Sequence, residues 1–334
     1  MRPLATARRV AIAVVILALI AVPYAISGVY YVNIASQVLL YAIFALGLNV
    51  LVGYAGLVSL GHAGLFGVSA YAVAYLLAAG YGHTLAIRGA LAAGLVVTAG
   101  FAALALRATG ISFIMITLAL GEIIWGLAYR WISLTNGDNG ISVAARPAPF
   151  GLSLASARGF YDATLIAFLI ALAAAAIFVR SPLGAALCGT RDQPRRMNTL
   201  GYHVWMIRFW AFMFSGLLTS VAGILFVYYN EFISPQTLAL TASAEALLMV
   251  ISGGAGTLLG PVVGAALVVI VKNVASAYVT RWNFMLGAIF VAIVVFMPEG
   301  LVPGAVRLAR SAFRSAWRPA GRQKPAASIA ARKP

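Results

Sequence analysis

Residues Arg180 to Arg208 read RSPLGAALCGTRDQPRRMNTLGYHVWMIR, the longest polar interruption between strongly apolar segments before the C-terminal tail. Ser181 is a good N-cap, because its hydroxyl can accept from a free backbone N–H. Pro182 then has its φ preset for a helix and lacks the amide hydrogen that would go unsatisfied there. A short helix is predicted to start at that point. A second, from Pro194 to Leu200, ends at Gly201, which tolerates the left-handed conformation of a C-cap. Five arginines (Arg180, Arg191, Arg195, Arg196, Arg208) stand against one acid, Asp192, the balance of a loop retained on the cytoplasmic side of a bilayer. Helix, turn, helix, glycine and then a long apolar run describe a platform between membrane helices, with a surface for a partner to touch.

The composition agrees. A chain of 334 residues that is 63% hydrophobic and 9% charged cannot hide its apolar surface inside one water-soluble globule, so it reads as an integral membrane protein. The formal net charge of +16 is not a nucleic-acid footprint, because the basic residues sit in short loops and in the tail between spans. One cysteine, Cys188, excludes an internal disulfide and a multi-cysteine metal site.

Outward from the platform, the N-terminal side begins with Arg2, Arg8 and Arg9 at residues 1–9, followed by an apolar run from Val10 to Ile26. No small-residue cleavage site and soluble domain follow it, so it is read as span 1 rather than a signal peptide. Span 2 covers Ser36 to Val52. After it comes GYAGLVSLGHAGLFGVSAY, in which Gly53, Gly56, Gly61, Gly64 and Gly67 predict a broken or tightly packed segment. Span 3 continues to Ala79, span 4 covers Gly89 to Leu106, and span 5 covers Ile111 to Trp131 with Glu122 near its middle. The external loop 132–160 is dense in turn chemistry, with TNGDNG and RPAP, and span 6 covers Tyr161 to Val179. Beyond the platform (180–208), span 7 is Phe209 to Tyr229 and a short candidate span carrying Glu245 runs from Leu238 to Ser252. GGAGTLLGP breaks the chain after it, and Val262 to Tyr278 and Asn283 to Met297 complete ten spans. With the N-terminus inside, ten crossings return the basic tail, 299–334, to the same side. Lysines and arginines outside the cytoplasmic segments are then only Arg88, Arg130, Arg146, Arg158, Lys272 and Arg281.

No enzyme constellation is present: His62, His83 and His203 fall in different segments without paired carboxylates, and no G-x-x-x-x-G-K-[ST] phosphate loop occurs. The glycines have two readings. They let helices approach closely in lipid, or they break helices beside a pathway and expose backbone groups to a solute. The break glycines are Gly53, Gly56, Gly61, Gly253, Gly254 and Gly256, and the polar side chains nearest the first break are Asn49, Ser59 and His62. Glu122 and Glu245 would each cost about 3 kcal/mol as a charge at the bilayer centre on insertion scales, so each is expected to face protein or water, as a pathway residue or an interhelical hydrogen-bonding partner. Asp138 in TNGDNG is a turn residue or a contact for a docking protein.

From Gln37 to Leu301 the chain resembles the permease subunits of branched-chain amino acid ABC importers, of the M type. The marks are GLNVLVGYAGLVSLGHAGLFGVSAY, TLALGEI, TNGDNGI, the platform with the span after it, GGAGTLLGPVVGA and MPEGL. The resemblance implies a type II importer permease that binds no cofactor itself. It also implies a second related permease, two cytoplasmic ATPases that hold ATP and magnesium, and a periplasmic solute-binding protein. In that family the cytoplasmic segment before a glycine couples to the ATPase through Glu-Ala-Ala. Here Gly201 matches the glycine, while Arg195, Arg196 and Met197 replace the three, which implies a more acidic ATPase cleft. Arg191, Asp192, Arg195, Arg196 and Gly201 are therefore the coupling candidates, and Asn49, Ser59, His62, Glu122 and Glu245 the pathway candidates.

The resulting expectation is an all-α inner-membrane protein of about ten spans, its transmembrane domain at residues 10–298. It would be a non-enzymatic permease that moves branched-chain or related amino acids by alternating access. The rival readings are a urea or short-chain amide permease of the same family and an ion-coupled secondary transporter using Glu122 and Glu245.

Overall fold

The computed structural model describes residues 28–143, 156–278 and scattered positions from 284 to 307. The expected span 1, the external Arg146 and Arg158 stretch in part, most of the last span and nearly all of the tail lie outside the described residues.

The described chain is helical apart from one short ribbon. Helix α1 (Val29–Asn49) runs into a π-helical turn (Val50–Ala55), and after an irregular stretch α2 begins (His62–Ala78). Then come α3 (His83–Ala105), α4 (Ile111–Arg130) and the one-turn α5 (Ile132–Thr135), followed by α6 (Ala157–Arg180), α7 (Pro182–Asp192) and α8 (Pro194–Thr199). The long α9 (Val204–Asn230), α10 (Leu240–Gly253) and α11 (Gly260–Tyr278) complete the bundle. Among the described residues, five helices are long and apolar enough to cross a membrane: α1 with its π turn, α3, α4, α6 and α9. Helices α2 and α10 are apolar but have only 17 and 14 residues. At 1.5 Å per residue α10 spans about 21 Å, short of a hydrocarbon core about 30 Å thick.

Helix α1 is the axis. It packs against α6, α9, α10 and α11, and 78% of its apolar stretch is enclosed, against 22% for α4 on the periphery. Leu39, Leu40, Ile43 and Phe44 of α1 meet Tyr161 and Phe168 of α6, Leu218 of α9, Met249 of α10 and Val268 of α11. Lipid is as apolar as leucine, so this core is held by close packing and hydrogen bonds rather than by expulsion of water. Small residues provide the approach. A Cβ on Gly47 would lie 2.9 Å from the Ser215 carbonyl, and Gly216 and Gly223 of α9 lie against Thr98 of α3 and the Phe66 carbonyl of α2.

The loop after α4 has more structure than its turn residues suggest. Asn136 closes α5 in the left-handed conformation (φ 59°), its side-chain amide donates to the Gly140 carbonyl at 3.0 Å, and Gly137–Asn139 forms one 3-10 turn. A two-residue β1 (Ile141–Ser142) then pairs antiparallel with β2 (Phe232–Ile233), which pins this loop to the end of α9. Strands of two residues carry no readable alternation, so the pattern was not visible in the sequence.

Candidate functional site

The glycine-rich breaks meet at one end of the bundle. The π turn ends at Gly56, whose positive φ of 68° sends the chain out of the helix. Beside it lies the loop between α10 and α11, where Gly254 and Gly256 also have positive φ. Asn49, 1% exposed, joins the two. Its Oδ1 accepts from the Gly256 amide at 2.9 Å and its Nδ2 donates to the Thr257 carbonyl at 3.0 Å. A Cβ on Gly53 would overlap Gly256 and lie 2.5 Å from Asn49 Oδ1, so the backbones touch because neither residue has a side chain there. Gly300 of the MPEGL stretch, with φ 87°, stacks on Gly253 and Gly254, a third segment at the same junction. The close-approach reading of these glycines applies here: they end helices and let the ends pack backbone to backbone.

The platform reaches this junction. Ser181 caps α7 by accepting from the Gly184 amide at 3.2 Å, with Pro182 at the first position, as the sequence predicts. At the other end of α7, Arg191 Nη1 donates to the Gly53 carbonyl at 2.7 Å and Arg191 Nε to Asp192 Oδ1 at 2.9 Å. Arg208 Nη2 donates to the Thr190 carbonyl at 2.8 Å, which holds the same end of α7 to α9. The short α8 packs on α7 through Met197, which lies over Gly189, while Arg195 and Arg196 are exposed. Gly201 terminates α8 at φ 86°, with its own amide bonded to Asn198 and that of Tyr202 to Met197, a paired C-terminal cap. The five coupling candidates therefore divide: Arg191 reaches the helix breaks with Asp192 bonded to its outer side, whereas Arg195, Arg196 and Gly201 lie on the outer helix. Helix α9 starts at Val204, earlier than the expected Phe209, because Val204-Trp205-Met206 continues its apolar run.

A second cluster surrounds the start of α2. His62 is fully buried, with Nδ1 2.8 Å from Ser59 Oγ and Nε2 2.9 Å from Ser215 Oγ. Ser215 Oγ lies 2.6 Å from the Gly47 carbonyl, which only accepts, so the single Ser215 proton points there. Ser215 must then accept from His62 Nε2–H, and with the proton of a neutral ring on Nε2, His62 Nδ1 accepts from Ser59. Both ring nitrogens are occupied, a tie between α1, α2 and α9. Nearby, Ser243 Oγ of α10 accepts from the Ala63 amide at 3.0 Å, and Thr117 Oγ1 of α4 from the Leu60 amide at 3.3 Å. Thr117, Ser215 and Ser243 were not singled out in the sequence. Their only signal is a hydroxyl residue inside an apolar helix.

The two glutamates join neither cluster. Glu245 of α10 is held by Lys272 Nζ of α11 at 3.0 and 3.1 Å, so the interhelical reading fits it; Lys272 was the overlooked partner. Glu122, half-buried on the peripheral α4, has no hydrogen-bond or ionic partner among the described residues. A cavity of about 450 Å³ between α2, α3 and α4 is lined by Val68, Tyr71, Leu76, Val97, Ile124 and Leu127 among others and exposes only apolar surface. It contains none of the candidate residues. Among the described residues no group of three His, Cys, Asp or Glu could hold a metal ion.

The chain is 32% identical to the high-affinity branched-chain amino acid transport system permease protein LivM of Escherichia coli (strain K12), over 81% of this chain and 70% of that protein. It is 23% identical to the corresponding permease protein LivH of the same organism, over 78% and 91%. The autoinducer 2 import system permease protein LsrC of Yersinia pseudotuberculosis is 32% identical over 39% of this chain and 40% of that protein. No solved structure matches. The family profile described as branched-chain amino acid transport system / permease component matches residues 30–294, nearly all of the bundle and the platform, and the chain belongs to that family of membrane permeases.

Proposed function

We propose that this chain is one of two permease subunits of an ATP-driven importer for branched-chain or related amino acids, working by alternating access in a bacterial inner membrane. The observation that carries the reading is the junction at which the platform and three glycine-rich segments meet: Arg191, Gly53, Asn49, Gly256 and Gly300. A platform that only anchored topology would need no contact with helix breaks. One built to pass movement into the bundle would have such contacts.

The chain has no nucleotide-binding loop, so ATP and magnesium belong to a separate pair of cytoplasmic ATPases, for which α7 and α8 present the docking face. LivM and LivH are both permease proteins of a branched-chain amino acid system, and this chain resembles both. That favours a related second permease as partner. The distribution of basic residues favours cytoplasmic termini and an external α5 to β1 loop, with exposed Asp138 available to a periplasmic binding protein. Glu122, on the least enclosed of the long apolar helices and without a partner among the described residues, is the pathway candidate that a second subunit or an aqueous pathway would satisfy.

Reconstitution of the permease pair with its ATPases and binding protein tests the reading. Uptake of leucine, isoleucine or valine should require ATP and survive collapse of the proton gradient. Loss of uptake on collapsing the gradient while ATP stays high would favour an ion-coupled carrier. A binding protein that responds to urea or acetamide and ignores amino acids would move the substrate to the amide class.

A further inference from the structure

We propose that Arg191 is a latch that carries movement of the platform into the helix breaks. The proposal rests on the reading above, in which a partner ATPase displaces α7 and α8.

Four features support it. First, the π turn makes an acceptor available: the amides of Gly56 and Leu57 both bond to Leu51 O, and Arg191 Nη1 takes the Gly53 carbonyl at 2.7 Å. Second, a Cβ on Gly56 would lie 2.6 Å from Arg191 Cγ, so that glycine supplies both the turn and the space for the arginine stem. Third, the guanidinium is oriented by a second bond, Nε to Asp192 Oδ1 at 2.9 Å. The Arg191 and Asp192 side chains are 43% and 64% exposed, so this bond sets direction more than it adds stability. Fourth, the accepting residue is not isolated. Gly53 packs on Gly256, and Asn49, four residues earlier, holds Gly256 and Thr257. A displacement of Arg191 therefore acts on the end of α1 and on the α10–α11 loop together. Arg195 and Arg196 are exposed on α8, where a partner can reach them without any such inward connection. Arginine suits the latch because its planar fork satisfies two acceptors in fixed directions, which a lysine ammonium on a flexible stem does not reproduce.

The test uses the complete importer in vesicles with radiolabelled leucine, and reads ATP hydrolysed per leucine imported and ATPase retained on purification. Arg191→Ala should keep the ATPase at wild-type stoichiometry and raise ATP per leucine about tenfold, within the range of coupling between sites. Arg191→Lys, which keeps the charge and gives a folded comparison, should fall between Arg191→Ala and wild type. A wild-type ratio in both variants would overturn the latch. So would loss of the ATPase from either, because Arg191 would then belong to the docking surface. A wild-type complex that imports leucine without ATP, or not at all, would instead remove the functional reading and the latch with it.

Discussion

Asn49 and Gly256, 207 positions apart in the chain, share a hydrogen bond of 2.9 Å, and the same Asn49 amide group donates to Thr257 at 3.0 Å. One side chain thus satisfies a donor and an acceptor left open where α10 ends and α11 begins. An amide is the fitting group, because it presents a donor and an acceptor side by side.

Asn49→Ala leaves the Gly256 amide and Thr257 carbonyl short of a partner, at about 1 kcal/mol for each, the lower end of the range for buried groups because both are only part-buried. Asn49→Asp is expected to be worse, since a carboxylate keeps the bond to Gly256 but opposes the Thr257 carbonyl and adds a buried charge. Thermal unfolding in detergent should rank the three as wild type, then Ala, then Asp. Equal midpoints would mean that the clamp carries no stability.

Gly53→Ala is expected to force the two breaks apart, because the added methyl would meet Gly256 backbone and Asn49 Oδ1. Gly100→Ala, on α3 where a Cβ meets nothing within 4 Å, serves as the control. It should be neutral or stabilising by about 0.5–1 kcal/mol, the usual helix-interior difference. If both substitutions lowered the midpoint alike, contact between the breaks would not be the cause.

The positions of most helices were legible because an apolar run of membrane length is a strong signal, and α4 and α6 fall within four residues of their predicted limits. Gly201 and Ser181 were legible too, since caps are local chemistry. The junction was not. Nothing near Arg191 in the sequence indicates that its side chain turns inward to Gly53 while Arg195 and Arg196 face outward, because that division depends on how α7 lies against the π turn. Nor does the sequence around Glu245 point to Lys272, 27 residues later on the neighbouring helix.

The His62 network can be probed by proton inventory. Glutamine carries a donor and an acceptor, so His62→Gln should retain most of the stability, whereas His62→Leu leaves Ser59 with only the long bond from the Gly61 amide and Ser215 with only its bond to Gly47. A loss of about 1–3 kcal/mol is expected for leucine. Uptake by the glutamine variant should persist with the wild-type dependence on external pH. Abolished uptake in a stable His62→Gln protein would assign the imidazole a role beyond tying three helices.

Glu245 and Lys272 form a pair whose side chains are 20% and 34% exposed, so the bond is only partly shielded from solvent or headgroups. A double-mutant cycle with Glu245→Gln and Lys272→Met should return a favourable interaction of about 1 kcal/mol, discounted for that exposure. If the pair is a structural tie, the double variant should still import its solute. An ion-coupled carrier using Glu245 would lose transport in every variant lacking the carboxylate.

The outer helix of the platform separates backbone geometry from charge. Gly201 sits at φ 86° with nothing within 4 Å of an added Cβ, so any penalty there comes from conformation alone. Asparagine tolerates the left-handed region and valine does not. Gly201→Asn should therefore couple nearly normally, while Gly201→Val unravels the end of α8 and impairs ATPase assembly at any ionic strength. Arg195→Glu with Arg196→Glu leaves the backbone intact and reverses two exposed charges. Its loss of ATPase should appear at low salt and be less distinct from wild type at high salt, because contacts between exposed charges are screened over about 8 Å at physiological ionic strength. On the proposed function the binding protein acts on the opposite face of the membrane, so its affinity for solute should not change in either case. Full ATPase retention by Gly201→Val and by the double glutamate variant at all salt concentrations would place the docking surface elsewhere, and would reduce Arg195 and Arg196 to charges that fix the topology of the chain.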